Sequence, residues 1–229
     1  MQKEKILHIQ KKDIDPTEQA FLYLLLSFSG GFQDAYTFIV RKEVFANAQT
    51  GNIVLMAYNL IQKQWGMAFR YLLPVVAFVF GVFVATQMEI SWRGKHIRLK
   101  EMVLVIEAIS LFAAGLLPDQ HYRIANMLVS FSCAIQVQSF PKLNGNNISS
   151  TMCIGNMRSG VSAVTRFINT RDKAFLFSGI NYWSVILVFA LGAGTGAKVS
   201  DYIGIHAIWF STIILIMVLI LSRFMKSDK

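Results

Sequence analysis

Gln33 and Asp34 stand inside an apolar run that extends from Ala20 to Val40. A charged side chain at the centre of a membrane-spanning helix costs about 2.5 to 3.5 kcal/mol on insertion scales, so Asp34 is tolerated there only if it faces protein or water. Gly30-Gly31, directly before it, is expected to weaken the helix and to free backbone groups, as the broken helices of transporters do. The pattern predicts polar groups that line a site for an ion or a solute.

A second interpretation gives Asp34 a local role. It precedes Arg41 by seven residues, so its carboxylate could lie near the outer end of the helix and pair with Arg41 or Lys42. The sequence leaves both interpretations open.

The connection after this run carries five further candidates for the same site: Asn47, Gln49, Thr50, Gly51 and Asn52. Thr50 or Asn47 could cap the following helix by accepting its free amide hydrogens. A helix N-terminus that points into the membrane would also offer N–H groups and a positive dipole end to a solute or an anion. Capping and solute binding are compatible with each other.

The second half of the chain has a similar set of residues: Gln136, Gln138, Gly155, Asn156 and Arg158. GGFQDAYTF is followed by TGN, and CAIQVQSFP is followed by IGN, with eighteen residues from Gln33 to Gly51 and nineteen from Gln136 to Gly155. Arg158 could attract an anion, pair with Asp34 or extend to lipid headgroups. We expect the two sets to form the two halves of one central site.

Glu107 is a second buried acid, within the apolar run Met102 to Leu117, and either Glu107 or Asp34 could couple transport to protons. The four histidines have no metal-ligand spacing, and no Ser/His/Asp or Cys/His group can be assembled. Cys133 and Cys153 lie in or beside apolar helices and are expected to be free thiols. We therefore expect no enzyme, no cofactor and no metal site.

Composition determines the fold class. Hydrophobic residues make up 54% of the chain and charged residues 15%, against about 25% charged in soluble domains. Six runs are about as long as a hydrocarbon core of roughly 30 Å requires: Ala20–Val40, Tyr71–Ile90, Met102–Leu117, Ile124–Phe140, Ala174–Ala197 and Tyr202–Leu221. The prediction is an all-α polytopic membrane protein with six transmembrane helices.

Two shorter amphipathic stretches, 52–64 and 157–169, determine the topology. If neither crosses the membrane and the N-terminus is cytoplasmic, sixteen of the 22 Lys and Arg residues are cytoplasmic and six are not. This positive-inside bias favours short re-entrant or interfacial helices for both stretches. The net charge of +9 is then explained by orientation rather than by nucleic-acid binding.

Three crossings in each half would insert the halves in opposite orientations, which is the inverted-repeat plan of many transporters. The predicted organisation is a cytoplasmic N-terminal segment (1–19), a first membrane repeat (20–118), a second (119–222) and a cytoplasmic tail (223–229). A small-residue face at Gly192, Gly194 and Gly196 is expected to serve helix packing.

GGFQDAYTFIVRKEVFANAQTGNIVL resembles the YoaK family of small bacterial membrane proteins over nearly the whole chain. The similarity lies in G-x-x-D-A-Y, read here from Gly31 to Tyr36, in V-F-A-N-A-Q-T-G-N, from Val44 to Asn52, and in a second-half G-N at Gly155-Asn156. The last motif has Ile154 where the family more usually has threonine. The resemblance implies a multi-span protein of the bacterial plasma membrane, and little about activity.

The sequence thus favours a secondary transporter or channel for a small solute. The alternative is a non-transporting scaffold, sensor or assembly partner, in which the same polar groups would be packed and satisfied. We expect the lipid bilayer as partner and no nucleic acid, and the sequence is compatible with a homodimer.

Overall fold

The structure is a computed structural model that describes residues 16–92 and 96–227. Within these ranges the chain is all-α, with eight helices: α1 (Pro16–Val40), α2 (Gln49–Ile61), α3 (Trp65–Ser91), α4 (His96–Leu116), α5 (Tyr122–Ser139), α6 (Cys153–Thr170), α7 (Lys173–Ile203) and α8 (Trp209–Ser227). Turns of 3₁₀ helix, Asp119–His121 and Gly204–Ile208, precede α5 and α8. An antiparallel hairpin of β1 (Lys142–Leu143) and β2 (Asn146–Asn147) separates α5 from α6.

Five of the six predicted apolar runs match one helix each, and the sixth is wrong at its start. The run from Tyr202 includes the end of α7, because Gly204, at φ +65°, ends that helix, and α8 begins only at Trp209. Among the described residues, two stretches, Trp65–Ser91 and Lys173–Phe224, are long and apolar enough to cross a membrane. Parts of three predicted segments lie outside the described ranges: residues 1–15 of the N-terminal segment, residues 93–95 between the second and third apolar runs, and residues 228–229 of the tail.

Helix α1 is continuous through Gly30-Gly31, so the predicted break at this point is wrong. The glycines instead allow close packing: a Cβ at Gly31 would collide with the Phe189 carbonyl of α7. Conversely, a Cβ at Gly192 of α7 would collide with the Phe28 carbonyl of α1. The small-residue face predicted for packing is therefore confirmed at Gly192, and the cost of glycine in a helix is offset by contact between two backbones.

Helix α3 packs on α5 in a similar way. A Cβ at Gly81 would lie 2.9 Å from the Phe131 carbonyl oxygen and 2.7 Å from Ala134 Cβ. Farther along the same two helices, Gln138 donates to Glu89 at 3.2 Å. The second pair of residues lies closer to the C-terminal end of both helices than the first, so α3 and α5 are parallel.

Helices α1 and α5 are antiparallel. Tyr23, near the start of α1, donates its hydroxyl to the Phe140 carbonyl at the end of α5, at 3.2 Å. Asn126, near the start of α5, donates to the Arg41 carbonyl just after α1, at 2.9 Å. The start of each helix thus contacts the end of the other.

The core contains Leu26, Phe32 and Leu111, which are at most 1% exposed, whereas large apolar side chains cover the outside. Val79 of α3, Leu187 of α7 and Ile213 of α8 are each more than 60% exposed. Soluble monomers rarely present apolar surface on this scale, so the outer faces are suited to lipid.

Candidate functional site

Asp34 anchors the connection between α1 and α2. Its Oδ1 accepts from the Asn47 amide at 2.8 Å, and the amides of Ala46 and Ala48 also face the carboxylate. The residue is 9% exposed. Because three backbone N–H groups surround it, the carboxylate is engaged in holding this connection in place.

The predicted pairing of Asp34 with Arg41 or Lys42 is wrong. Arg41 is 0% exposed, and its Nη2 donates to the Ala114 and Leu117 carbonyls at 2.8 and 2.9 Å. The guanidinium thus binds the last carbonyls of α4, where the negative end of the helix dipole favours a cation. Lys42 pairs with Asp119 at 3.2 Å.

The connections of the two halves meet beside Gly30. Asn47 Nδ2 donates to the Gly30 carbonyl at 2.7 Å. The Thr151 methyl group occupies the space where a Gly30 side chain would lie, and its Oγ1 contacts Cys133 Sγ at 3.7 Å. The sequence prediction that the two interruptions come together therefore agrees with the geometry at this point.

Asn52 and Asn156 each clamp the backbone seven residues earlier. The Asn52 side chain accepts from Phe45 N at 3.2 Å and donates to Phe45 O at 2.6 Å. The Asn156 side chain does the same to Ser149, at 3.3 and 2.7 Å. Since both amide ends are satisfied by backbone, these two residues shape the connections.

The predicted capping of α2 is wrong. The helix begins at Gln49 rather than at Asn52, and no side chain caps it at Ala48. Thr50 is exposed, and Gln49 donates to the Ala46 carbonyl at 2.7 Å while accepting from Asn52 at 2.9 Å. Helix α6 likewise begins earlier than predicted, at Cys153.

Glu107 lies at the centre of the bundle and is 0% exposed. The Gln136 amide lies between Glu107 and Ser150, and its orientation is assigned from the hydrogen bonds. With the nitrogen toward the carboxylate it donates to Glu107 Oε1 at 2.6 Å and accepts from Ser150 Oγ at 2.7 Å, so that both ends are satisfied. The side chains of Gln33 and Ser132 also lie against the carboxylate. We call Gln33, Glu107, Ser132, Gln136 and Ser150 the central cluster.

The central cluster draws on both halves of the chain. Gln33 comes from α1, Glu107 from α4, Ser132 and Gln136 from α5, and Ser150 from the connection to α6. Every member is at most 1% exposed, so the cluster is closed to solvent on all sides. It is a compact polar group in an apolar bundle, a place where polar side chains are rare.

Comparison with known proteins places the chain in a family. Residues 22–221 match the family described as Protein of unknown function (DUF1275). The chain belongs to the DUF1275 family. It is 27% identical over 182 residues to the UPF0700 transmembrane protein YoaK of Bacillus subtilis (strain 168), covering 75% of this chain and 80% of that protein. No solved structure matches.

The match confirms the resemblance drawn from the sequence motifs. With its apolar helices and a transmembrane relative, this DUF1275 chain is a membrane protein. The family description assigns no activity.

Besides the residues of the two connections described above, four further predicted site residues lie away from the central cluster of this DUF1275 protein. Gln138 bonds to Glu89, Gly155 has open space beside it, and Gly51 faces the Phe45 ring. Arg158 is exposed and forms no ion pair among the described residues. They contribute to packing or to the surface.

Sequence reasoning on this DUF1275 chain missed Ser132, Ser150, Thr151 and Arg41. Ser132 could have been found, because it precedes Gln136 by four residues and so shares its helix face. Ser150 and Thr151 lie in an irregular connection without periodicity. Arg41 was assigned to the outer surface, and its distant partners at the end of α4 leave no local signal.

Proposed function

We propose that this protein is a secondary transporter or channel for a small solute, built from two inverted repeats around the central cluster. The observation that carries the proposal is the fully buried Glu107, held by Gln136 from the other half and flanked by Gln33 from its own half. Ionisable groups within membrane bundles are rare, and they mark ion and solute pathways. We propose no catalytic role for these residues.

The helix directions support the inverted repeat. If α2 and α6 do not cross, α1 and α5 must be antiparallel, α3 and α5 parallel, and α1 and α7 parallel. The contacts of Tyr23 and Asn126 agree with the first relation, and those of Gly81 and Gln138 with the second. For the third, Gly192 meets Phe28 and Gly196 meets Phe32, so the contacts advance together along α7 and α1. If both short helices crossed, α1 and α5 would be parallel, which their contacts contradict.

Equivalent contacts in the two halves also support it. Gly81 meets Phe131 as Gly192 meets Phe28, and in each pair a glycine of the repeat's third helix faces a carbonyl on the first helix of the other repeat. Asn52 and Asn156 clamp the backbone seven residues earlier. Such matched geometry at separate places is expected of a duplicated unit.

One short amphipathic helix completes each repeat, α2 in the first and α6 in the second. Ile61 of α2 is 81% exposed and Ile154 of α6 is 77% exposed, consistent with helices that lie at the interface or re-enter the bilayer. We place the protein in the bacterial plasma membrane. With six crossings, the positive-inside bias then puts both termini in the cytoplasm.

The closed central cluster is consistent with an occluded state. Alternating access would require one repeat to move against the other and open the cluster to each side in turn. The glycine contacts between α1 and α7, and between α3 and α5, are the surfaces between repeats where such movement would occur.

The test is an uptake screen in proteoliposomes, with small labelled solutes under imposed proton or sodium gradients. We expect a solute that wild type moves and Glu107→Gln does not. Glu89→Gln is the matched control, because Glu89 is half-buried on α3 and bonds only Gln138 among the described residues. Absence of movement for every solute and gradient would overturn the proposal.

One observation favours the alternative of a non-transporting scaffold or sensor. Asp34, Asn52 and Asn156 bind backbone groups and are buried, as that alternative predicts. Single cysteines in a Cys133→Ala, Cys153→Ala background distinguish the two. Labelling of Ser132→Cys by a membrane-impermeant thiol reagent in right-side-out or inside-out vesicles favours a pathway, and protection from both sides favours a scaffold. Exposed Ser162→Cys, which is cytoplasmic in this topology, is the positive control in inside-out vesicles.

A further inference from the structure

The Glu107 carboxylate lacks a positive partner. It is 0% exposed, and no Lys, Arg or His among the described residues forms an ion pair with it. The side chains against it, Gln33, Ser132 and Gln136, are neutral. A buried carboxyl group is ordinarily paired with a positive side chain, bound to a cation or neutralised by a proton.

Two oxygen atoms beside the carboxylate have free lone pairs. Gln33 Oε1 is buried and has no hydrogen-bond partner among the described residues, and the Ser132 hydroxyl, which faces the carboxylate as a donor, accepts no hydrogen bond among them. The nitrogen of the Gln33 amide donates to Ser29 Oγ at 3.1 Å, which leaves its oxygen as the unsatisfied end. An unpaired buried acceptor costs about 1 to 3 kcal/mol. A bound cation would satisfy these acceptors together.

The charge and the ligand types restrict what fits. Carboxylate, amide and hydroxyl oxygens are ligands for hard cations. Only one carboxylate contributes, because that of Asp34 is engaged by backbone amides, and no group of three acidic, His or Cys residues occurs among the described residues. A single negative charge balances a single positive one.

We infer that the central cluster binds a monovalent cation, either an alkali-metal ion or the ammonium group of a small amine, between Glu107, Gln33 and Ser132. The inference rests on the proposed function in that this cation is the cargo or the coupling ion. Binding itself can be measured without transport.

The experiment measures the unfolding temperature of the purified full chain in nanodiscs. Sodium, potassium or methylammonium chloride replaces choline chloride at constant ionic strength. We expect at least one of the three cations to raise the Tm by about 3 to 6 °C at roughly ten times its Kd. The effective cation identifies the source: a metal ion or an amine.

Glu107→Gln should abolish the rise in Tm. Ser132→Ala keeps the carboxylate and should weaken the apparent affinity about tenfold. Ser139→Ala, a buried serine on the same helix outside the cluster, should bind as wild type does. If Glu107→Gln does not fold, the comparison of the two serine variants decides, and equal affinities would overturn the inference.

A wild type whose Tm is raised by none of the three cations overturns the inference, as does a rise that persists in a folded Glu107→Gln. Uptake of a solute without any cation-dependent rise leaves the transport proposal standing and removes this one. A cation-dependent rise that needs Glu107, without uptake of any solute, supports the cation site and removes transport.

Discussion

Gln136 donates its amide to Glu107 Oε1 at 2.6 Å, which joins α5 to α4 at a point with no solvent. Gln136→Leu removes the donor and leaves a buried carboxylate without its closest partner. We expect the free energy of unfolding to fall by about 1 to 3 kcal/mol. Unfolding by SDS in mixed micelles measures the loss.

The matched control is Gln138→Leu on the same helix. Its amide bonds to Glu89 at 3.2 Å in a half-buried position, so the expected loss is about 1 kcal/mol or less. Equal losses in the two variants would contradict a special role for the Gln136–Glu107 bond.

Arg41→Met tests the contact between α1 and α4. It leaves the Ala114 and Leu117 carbonyls without donors and removes the Tyr36 bond at 2.8 Å. We expect a loss of about 2 to 4 kcal/mol. Lys42→Met, which breaks an exposed pair with Asp119 at 3.2 Å, should cost about 1 kcal/mol at most. Similar losses would show that Arg41 does not hold α4.

Gly192→Ala tests the packing of α7 on α1. The added methyl group would collide with the Phe28 carbonyl, so the helices must separate, at a cost of about 1 to 3 kcal/mol. Gly194→Ala is the control, because nothing lies within 4 Å of a Cβ there; a gain of up to about 1 kcal/mol is expected from helix propensity. Thermal unfolding in detergent compares them, and equal effects would contradict close backbone packing.

The sequence predicted the helices well and their contacts poorly. Apolar run length located five helices, with ends that differ from the structure by up to six residues, because the thickness of a bilayer sets the length of such runs. Gly30-Gly31 was read as a break, since glycine weakens an isolated helix, whereas close contact with α7 overrides that tendency. Glycine composition alone does not distinguish these outcomes.

Three of the five members of the central cluster were among the residues selected from the sequence, and Ser132 and Ser150 were not. Gln33, Glu107 and Gln136 were each selected as polar residues in apolar runs, and they do lie together. Asp34 was expected among them, but it is held by the amides of its own connection. Such partners are distant in sequence or irregular in structure, so no local pattern reports them.

Asn52→Ala and Asn156→Ala test the equivalence of the two halves. Each removes a side chain that binds both the N–H and the carbonyl of a residue seven positions earlier. We expect similar losses of about 1 to 3 kcal/mol. Asn59→Ala removes only a bond to the Leu55 carbonyl within α2 and should cost less than either. Markedly unequal losses would contradict the proposed repeat.

The six-crossing topology can be tested with truncations fused to alkaline phosphatase, which is active in the periplasm, and to a fluorescent protein that matures in the cytoplasm. If α2 and α6 do not cross, fusions after Gln64 and Gln120 should report periplasm, and those after Lys100 and Asn147 cytoplasm. If both short helices crossed, all four reports would reverse. A fusion after Asp172 should report cytoplasm in either case and therefore serves as the internal control. Because three crossings in each half are what invert the second repeat, reversal at the four positions would remove the inverted repeat together with the six-span count.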